Sequence, residues 1–414
     1  MKIIHLNTFD LSGGAARAAH RIHTALRKNK IHSEMLVSNK IGQDKNVKIY
    51  PVKNQYKKLR YIDKILSLQN SSNPTHHTCN IFPSGIHKII NSSEADIVHF
   101  HWIGNELISI AEVKKINKPI AWTLHDMWAF SGAEHYDDLS YPGRYKQAYS
   151  KSNRPITHAG MIDIDAWTWR RKKKHWNNID FSFVTPSKWL AACLKESALF
   201  AGKKATVIPY YINSDIFRPT DKKIGRSLYN LPQNKQLILF GAQGTANPLK
   251  GYHLLKKGLE YFSAEYSDKP VECAVFGGNP DTKHAINGIS VTEIGQINDD
   301  DKLAMLYSAA DVFVVPSMLD NLPNTVIEAM SCQTPCVGFN IGGIPDMIEH
   351  QKNGYLVDPF DTHKLTNGIS WMLEDAQRLK KLGHQAREKV MSHYASSVVA
   401  GQYAALYEKI LRKQ

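Results

Sequence analysis

Two carboxylates eight positions apart form the pattern with the clearest chemical use. Asp320 follows an apolar segment typical of a strand, and Glu328 lies about one turn into a helix predicted to begin near Asn324. A glutamate there can accept hydrogen bonds from two vicinal ribose hydroxyls, and the free backbone N–H groups of residues 322–325 suit a phosphate. The alternative interpretation is structural, with Asn324 as an N-cap and Glu328 as a solvated side chain.

Two glycine-containing loops each join a predicted strand to a predicted helix. Gly13 and Gly14 follow the first strand, and residues 241–251 form a second loop that contains Gly244 and Lys250. Glycine permits a tight turn and lets a ligand approach the backbone, and the helix N-terminus behind it attracts anions. Neither loop has the dinucleotide-binding or the Walker pattern. Both are candidate phosphate loops, with an ordinary strand-to-helix turn as the alternative.

Two sequence patterns could bind a metal ion, and each also has a purely structural interpretation. Residues 299–301 are three aspartates, and we favour their role as the cap and first turn of the helix that follows. His99 and His101 alternate along a predicted strand and share one face, so they could be ligands or acceptor contacts. We favour ordinary histidines at a strand end. The sequence therefore predicts no metal site and no other cofactor.

Short apolar strands alternate with helical segments, which is typical of βαβ units on a parallel sheet. Strands are predicted at residues 3–7, 96–101, 120–124 and 181–184, and again at 237–240, 271–276, 290–293, 312–315 and 335–338. The two series are separated by residues 209–219, a stretch bounded by prolines. We therefore predict an α/β protein with two Rossmann-like domains, residues 1–208 and 219–394, whose parallel sheets face each other across a cleft. A helix at about 395–414 is expected to return to the first domain.

Positive charge is concentrated in one of the two predicted domains. The 414 residues include 52 Lys and Arg against 38 Asp and Glu, and all of the net charge of +14 lies in residues 1–215. One domain that meets an anionic surface explains this asymmetry better than a nucleic-acid coat does. No segment approaches the ~20 apolar residues that cross a bilayer. We expect a soluble, cytoplasmic protein with peripheral membrane contact and scattered, reduced cysteines.

Residues 127–180 interrupt the alternation of strands and helices and are rich in aromatic side chains. This segment contains a basic run made of Arg170, Arg171, Lys172, Lys173 and Lys174. Tryptophans flank the run on both sides. Lysine and arginine bind anionic head groups while tryptophan lies at the membrane interface, so the run is a candidate membrane contact. The alternative is a solvated helix face.

Taken in order along the chain, these motifs resemble the retaining GT-B glycosyltransferases of glycosyltransferase family 4. Residues 320–328 resemble the family signature of two glutamates separated by seven residues, with Asp320 in the first position. Matching landmarks are Gly13 with Gly14, and residues 123–126, 185–187, 206–219 and 342–346. The resemblance spans essentially the whole chain. Residues 124–130 and 320–329 look like the corresponding segments of bacterial transferases that build O-antigen, colanic acid or capsule repeat units on a lipid carrier.

The resemblance implies roles for the matching residues. Glu328 would bind the donor ribose and Asp320 would contact the donor sugar. Lys250 would neutralise the diphosphate, and His125 would lie beneath the reacting sugar. The implied donor-binding residues are Gly13, Gly14, Gly244, Lys250, Gly295, Ile297, Asp320, Asn321, Leu322, Pro323, Asn324, Thr325 and Glu328, and the implied catalytic residues are His125, Asp320 and Lys250. Candidates for acceptor binding are His99, His101, Asp126 and Trp128.

The function expected from this resemblance is sugar transfer with retention of configuration. The donor would be a nucleotide-sugar, and the acceptor a hydroxyl of a lipid-linked oligosaccharide in O-antigen or exopolysaccharide synthesis. The enzyme would need no metal and would bind peripherally to the cytoplasmic face of the inner membrane. Residues 1–208 would bind the acceptor and residues 219–394 the donor. The alternatives are a nucleotide-sugar epimerase on the same fold and a basic nucleic-acid-binding protein.

Overall fold

A computed structural model gives the fold of the protein and describes residues 1–50, 73, 75–155, 162–242, 247–266, 268–278 and 280–413. The chain forms two compact units. The first contains Met1–Pro209 together with Ala400–Gln414, and the second contains Tyr210–Val399. Each unit is built around one seven-stranded sheet.

The sheet of the first unit is parallel throughout, with the strand order β3-β2-β1-β4-β5-β6-β7. Its strands are β1 (Lys2–Phe9), β2 (His32–Asn39), β3 (Val47–Ile49), β4 (Ile97–Phe100), β5 (Ile120–Thr123), β6 (Phe181–Thr185) and β7 (Thr206–Val207). The register places His5 on β1 directly beside His99 on β4. Polar side chains from neighbouring strands therefore meet inside this unit.

The helices that connect these strands are mostly short. They are α1 (Gly14–Lys28), α2 (Ile86–Ser92), α3 (Ile110–Val113), α4 (Arg144–Gln147), α5 (Ile164–Trp176) and α6 (Lys188–Glu196). Side chains cap two of them, since Asp163 accepts from the backbone N–H of Ala166 and Ser187 accepts from that of Leu190. These bonds satisfy N–H groups that a helix start otherwise leaves unpaired.

The sheet of the second unit has the order β10-β11-β9-β8-β12-β13-β14. Its strands are β8 (Gln236–Gly241), β9 (Val271–Phe276), β10 (Pro280–Ile286), β11 (Ile289–Gly295), β12 (Val312–Val315), β13 (Cys336–Phe339) and β14 (Gly354–Val357). All neighbouring pairs are parallel except β10 with β11, which form an antiparallel pair at the edge. β9, β12 and β13 are buried along their whole length, which explains their continuous apolar sequences.

The second unit contains seven described helices. They are α7 (Lys222–Leu228), α8 (Tyr252–Glu265), α9 (Asp300–Ala309), α10 (Asn324–Ser331), α11 (Ile344–Met347), α12 (Thr362–Leu373) and α13 (Ala376–His393). Asp299 caps α9, because its Oδ1 accepts from the backbone N–H groups of Asp301 and Lys302. The interpretation of residues 299–301 as a helix start is therefore confirmed.

The last helix, α14 (Ser396–Leu411), connects the end of the chain to the first unit. The hydroxyl of Tyr403 pairs with Oγ1 of Thr123 at 3.1 Å, and that of Tyr407 pairs with Nδ1 of His99 at 2.7 Å. Both tyrosines are fully buried. The predicted α/β fold with two sheets is confirmed, the second sheet being parallel except at its β10 edge, and the predicted return of the last helix is confirmed. None of the helices described here is long and apolar enough to cross a membrane.

Candidate functional site

Lys250 and Asp320, which are 70 positions apart in the sequence, form an ion pair in the second unit. Nζ of Lys250 donates to Oδ2 of Asp320 at 2.6 Å, and the hydroxyl of Ser317 donates to the same oxygen at 3.4 Å. Lys250 ends a short 3-10 helix (Pro248–Lys250), and Asp320 lies in the loop after β12. β8 and β12 are neighbours, so both loops leave the carboxyl edge of the same sheet, where ligands of such folds bind.

Two glycines allow the loops around this ion pair to approach closely. Gly251 has a φ of +72°, and a Cβ there would lie 1.7 Å from the carbonyl oxygen of Pro316. Gly342 has a φ of +59°, and a Cβ there would lie 2.1 Å from the carbonyl oxygen of Asp320. Any other residue at either position would clash with backbone and be strained. The backbone around Lys250 and Asp320 is therefore held in a fixed arrangement.

The start of α10 offers backbone N–H groups beside Asp320. Pro323 is the N-cap residue and provides no side-chain cap. Asn324 is thus the first helical residue and not the cap. Asn321, Leu322 and Pro323 are buried, and Asn324 and Thr325 are half-buried in the first turn. The structural alternative from the sequence, an N-capping asparagine, is wrong.

Glu328 lies one turn into α10 with only 3% of its surface exposed. Its Oε2 accepts a hydrogen bond of 3.0 Å from the hydroxyl of Tyr307 on α9. A carboxylate buried in this way is held in one position by its partners. The alternative of a solvated glutamate is therefore wrong, and binding of a ribose by Glu328 stays a prediction.

The remaining donor-binding candidates of the second unit lie near the end of β11. Gly295 adopts a φ of +76°, and its carbonyl accepts from the backbone N–H of Gly277 at 2.7 Å. Ile297 is half-buried and lines a surface cavity of about 670 Å³ together with Gln296 and Tyr229. Gly244 lies outside the described residues.

In the first unit, the glycine loop has the expected form. Gly13 has a φ of +97° and is the N-cap residue of α1, which begins at Gly14. Its carbonyl accepts from the backbone N–H of Arg17 at 3.0 Å, and α1 has no side-chain cap and no acidic residue in its first turn. The positive end of the dipole of α1 is therefore not neutralised by an acidic residue of its own first turn.

His125 follows β5 and ends a row of three histidines joined by hydrogen bonds. Nδ1 of His5 lies 2.8 Å from Nε2 of His101, and Nδ1 of His101 lies 3.1 Å from Nε2 of His125. Burial lowers the pKa of His125 to about 4 and holds the pKa values of His5 and His101 well below their usual range. All three rings are therefore neutral at pH 7.

Asp126 forms a second polar group beside His125. Its Oδ2 lies 2.6 Å from Nδ1 of His135 and accepts from the indole N–H of Trp102 at 3.1 Å. Hydrogen bonds and the nearby His135 hold the pKa of Asp126 below its usual range although burial opposes this. Asp126 is therefore a carboxylate at pH 7. Because the side chain of Asp126 is 15% exposed, it can contact a polar ligand.

The structure corrects three of the four acceptor-binding candidates. His99 is fully buried, and its ring nitrogens pair with Tyr407 and with Thr123, at 2.7 and 2.8 Å. Trp128 is 3% exposed, and its indole N–H donates to the carbonyl of Thr78. His101 is also buried, and both of its ring nitrogens are hydrogen-bonded to neighbouring histidines. These side chains are packed and hydrogen-bonded inside the unit, which leaves Asp126 as the accessible candidate.

The basic run at residues 170–174 lies on α5, and it is not a uniformly exposed face. Lys172 is fully buried, and its ammonium donates to the carbonyl oxygens of Trp128, Ser131 and Gly132. Arg171 donates to the carbonyls of Cys79 and Asn80, whereas Arg170, Lys173 and Lys174 are exposed. The predicted membrane contact is therefore wrong for Lys172, whose hydrogen bonds hold the loop after Asp126.

Three residues hydrogen-bonded in the cluster around His125 and Asp126 were not singled out from the sequence. They are His5, Trp102 and His135. His5 lies within an apolar strand. Only its register beside His99 would have pointed to it, and strand register cannot be read from a single sequence. Trp102 lies two residues after the end of β4, so its position after a strand end was a usable signal. His135 lies within residues 127–180, which show no regular alternation of strands and helices. No sequence pattern there indicated that His135 pairs with Asp126.

Two family models match successive parts of the chain. The model described as Glycosyltransferase Family 4 matches residues 12–215, and the model described as Glycosyl transferases group 1 matches residues 222–389. The N-acetyl-alpha-D-glucosaminyl L-malate synthase of Bacillus anthracis is 32% identical over 112 residues, 27% of this chain and 29% of that protein. Further curated relatives are matched over about half to two thirds of their length, 51% to 65%.

Solved structures share the fold over the full length of the chain. Sucrose-phosphate synthase from Thermosynechococcus elongatus superimposes with a TM-score of 0.73 at 19% identity and covers 100% of both chains. The Anabaena protein HepE in complex with UDP-glucose gives a TM-score of 0.66 at 16% identity, with 99% and 100% of the two chains covered. The fold is therefore the GT-B fold. The chain belongs to the glycosyltransferases of group 1 and family 4 type.

Replacing Lys172 by methionine tests its role in holding the loop after Asp126. We expect Lys172→Met to lower the free energy of unfolding by at least about 2 kcal/mol, because three buried carbonyl groups lose their donor. The neighbouring Lys173→Met is the matched control, and its exposed side chain predicts a change below about 0.5 kcal/mol. Urea unfolding followed by tryptophan fluorescence measures both. Equal stability of the two variants would contradict the assignment.

Proposed function

We propose that the protein transfers a sugar from a nucleotide-sugar to a hydroxyl of a lipid-linked oligosaccharide. The observation that carries the proposal is the convergence of Lys250, Asp320 and the start of α10, which its N-cap residue does not cap with a side chain, at one edge of the second sheet. A cationic side chain, backbone N–H groups and a carboxylate are what a diphosphate joined to a sugar requires. The transfer retains the anomeric configuration, as the family resemblance implies.

In this proposal the second unit binds the donor. Lys250 stabilises the charge that develops on the leaving diphosphate, and the backbone N–H groups of Leu322, Asn324 and Thr325 support it. Asp320 exchanges its contact with Lys250 for the donor sugar, and Glu328 binds the ribose. HepE, which shares the fold, has been solved with UDP-glucose, which supports a nucleotide-sugar as the ligand class.

The first unit binds the acceptor in this proposal, close to the cytoplasmic face of the inner membrane. All of the net positive charge lies in residues 1–215. Arg170 and Lys174 lie on the same side of α5 as Trp167, which is 38% exposed. Exposed basic residues beside a tryptophan favour a surface of anionic lipid, where a lipid-linked acceptor would be found.

The epimerase and nucleic-acid alternatives are less well supported than transfer. Both family models that match the chain describe glycosyltransferases, and the Bacillus anthracis relative is named as a synthase that joins a sugar to malate. A role in O-antigen or capsule synthesis rests on the resemblance of residues 124–130 and 320–329. Product analysis with and without a lipid-linked acceptor separates transfer from epimerisation.

A first test concerns donor binding by Glu328. UDP, GDP and dTDP are titrated by calorimetry, and the nucleotide that binds most tightly is kept. We expect Glu328→Gln to weaken its binding by about 10- to 150-fold, which corresponds to ~1.5–3 kcal/mol for a hydrogen bond to a charged group. Tyr307→Phe is the control, because it removes the hydroxyl that donates to Glu328 and keeps the carboxylate. Unchanged affinity in a folded Glu328→Gln variant would disprove the ribose role.

A second test concerns metal ions. We expect EDTA to leave the rate of transfer unchanged, because Lys250 and the N–H groups at the start of α10 supply the positive charge that a cation otherwise provides. The measurement is turnover before and after chelation, followed by addition of Mn²⁺ or Mg²⁺. Loss of activity that either ion restores would refute metal-independent transfer.

A third test concerns the membrane and uses the exposed part of the basic run. Replacing Arg170, Lys173 and Lys174 by Gln should release the protein from anionic liposomes, because each charge near such a surface contributes ~1 kcal/mol. Transfer to a lipid-linked acceptor should slow, and transfer to a short soluble acceptor should not. Replacing three exposed lysines of the second unit, Lys256, Lys257 and Lys380, is the charge-matched control. If both triple variants sediment like the parent at low salt, the run is only a solvated face.

A further inference from the structure

His5, His101 and His125 form a hydrogen-bonded row in the first unit. The hydrogen bonds determine which ring donates and which accepts at each step of this row. A neutral imidazole carries one N–H, so each ring in a row donates at one end and accepts at the other. His101 lies in the middle and uses both of its nitrogens, one toward His5 and one toward His125. Two arrangements are possible, in which all protons point toward His125 or all point toward His5.

The far nitrogen of His5 decides between the two arrangements. Nε2 of His5 is buried and has no hydrogen-bond partner among the described residues. If the protons pointed toward His5, this nitrogen would carry a buried N–H without an acceptor, which is rarer in proteins than an acceptor without a donor. The protons therefore point the other way: His5 donates from Nδ1 to His101, and His101 donates from Nδ1 to His125.

We propose that His5 and His101 are positioning residues that hold His125 in the tautomer protonated at Nδ1. In this state the Nε2 lone pair of His125 accepts from His101 and cannot take a proton from a substrate. The proton of His125 is then at Nδ1, so the ring can serve as a hydrogen-bond donor and not as a general base. The position of His125 beneath the reacting sugar is what the family resemblance implies and rests on the proposed transfer, whereas the tautomer rests on the hydrogen bonds of the row.

A metal site is the competing interpretation of these side chains. One ligand atom each from His5, His99 and His101 lie within 4.8 Å of one another. His99 and His101, however, use both of their ring nitrogens in hydrogen bonds, so a metal would have to break several of them. The hydrogen-bonded row accounts for the same geometry without that cost.

Nitrogen NMR of protein labelled with ¹⁵N-histidine tests the tautomer directly. The signals of His125 are assigned by their loss in His125→Asn. We expect Nδ1 of His125 in the range of protonated ring nitrogens and Nε2 in the range of unprotonated ones. In His101→Phe, which keeps a ring and removes the donor, the two nitrogens of His125 should move toward each other as both tautomers become populated.

His99→Phe is the matched control, because His99 lies on β4 two residues before His101, is equally buried and is outside the hydrogen-bonded row. It should leave the His125 signals unchanged. If His101→Phe does not fold, His5→Leu removes the first donor of the row and should give the same mixture of tautomers. Protonated Nε2 in the parent, or an unchanged His125 tautomer in a folded His101→Phe or His5→Leu variant, would overturn the proposal.

Kinetics separate the tautomer from its role in transfer. We expect His101→Phe to lower kcat about tenfold, the effect of one ordinary hydrogen bond, with a smaller change in KM for the donor. His99→Phe should keep kcat near that of the parent. Unchanged kcat with an altered tautomer would refute the positioning role. The expected tautomer in a protein that transfers no sugar would refute the proposed function and leave the tautomer assignment intact.

Discussion

The parallel order of the strands is the constraint on which both groups of candidate residues depend. In a parallel sheet every strand ends at the same edge, so loops from distant parts of the sequence meet there. This brings Lys250, after β8, to Asp320, after β12, and places the start of α10 beside them. In the first unit it aligns β1, β4 and β5, so that His5, His101 and His125 form one row.

Burial of polar groups is the second feature that both units share. Glu328, His101 and Lys172 are all buried, and the free energy of taking them out of water is offset only because each has hydrogen-bond partners. Such partners determine the position of a buried side chain and the atom of it that carries a proton. The loop after Asp126 illustrates this, because Lys172 holds three of its carbonyl groups at once.

Several features were predictable from the sequence, and the reason in each case is local. The apolar runs of β9 and β12 and the cap at Asp299 arise from neighbouring residues, so composition and spacing indicate them. β2, β3, β7, β10 and β14 were not predicted, and β2 and β10 show why. β2 mixes polar and apolar residues, and β10 is a largely polar edge strand, so neither has a continuous apolar sequence. Pairing with a neighbouring strand, and not local preference, determines both.

The sequence by itself determined the α/β class, the two series of strands and the residue types available for phosphate and sugar binding. Only the tertiary structure decided which of these residues are accessible. Within one basic run it buried Lys172 and exposed Lys173, because α5 turns one residue toward the core and the next toward water. It also joined His5 to His101, because strand register is set by packing between distant segments and leaves no local pattern in the chain.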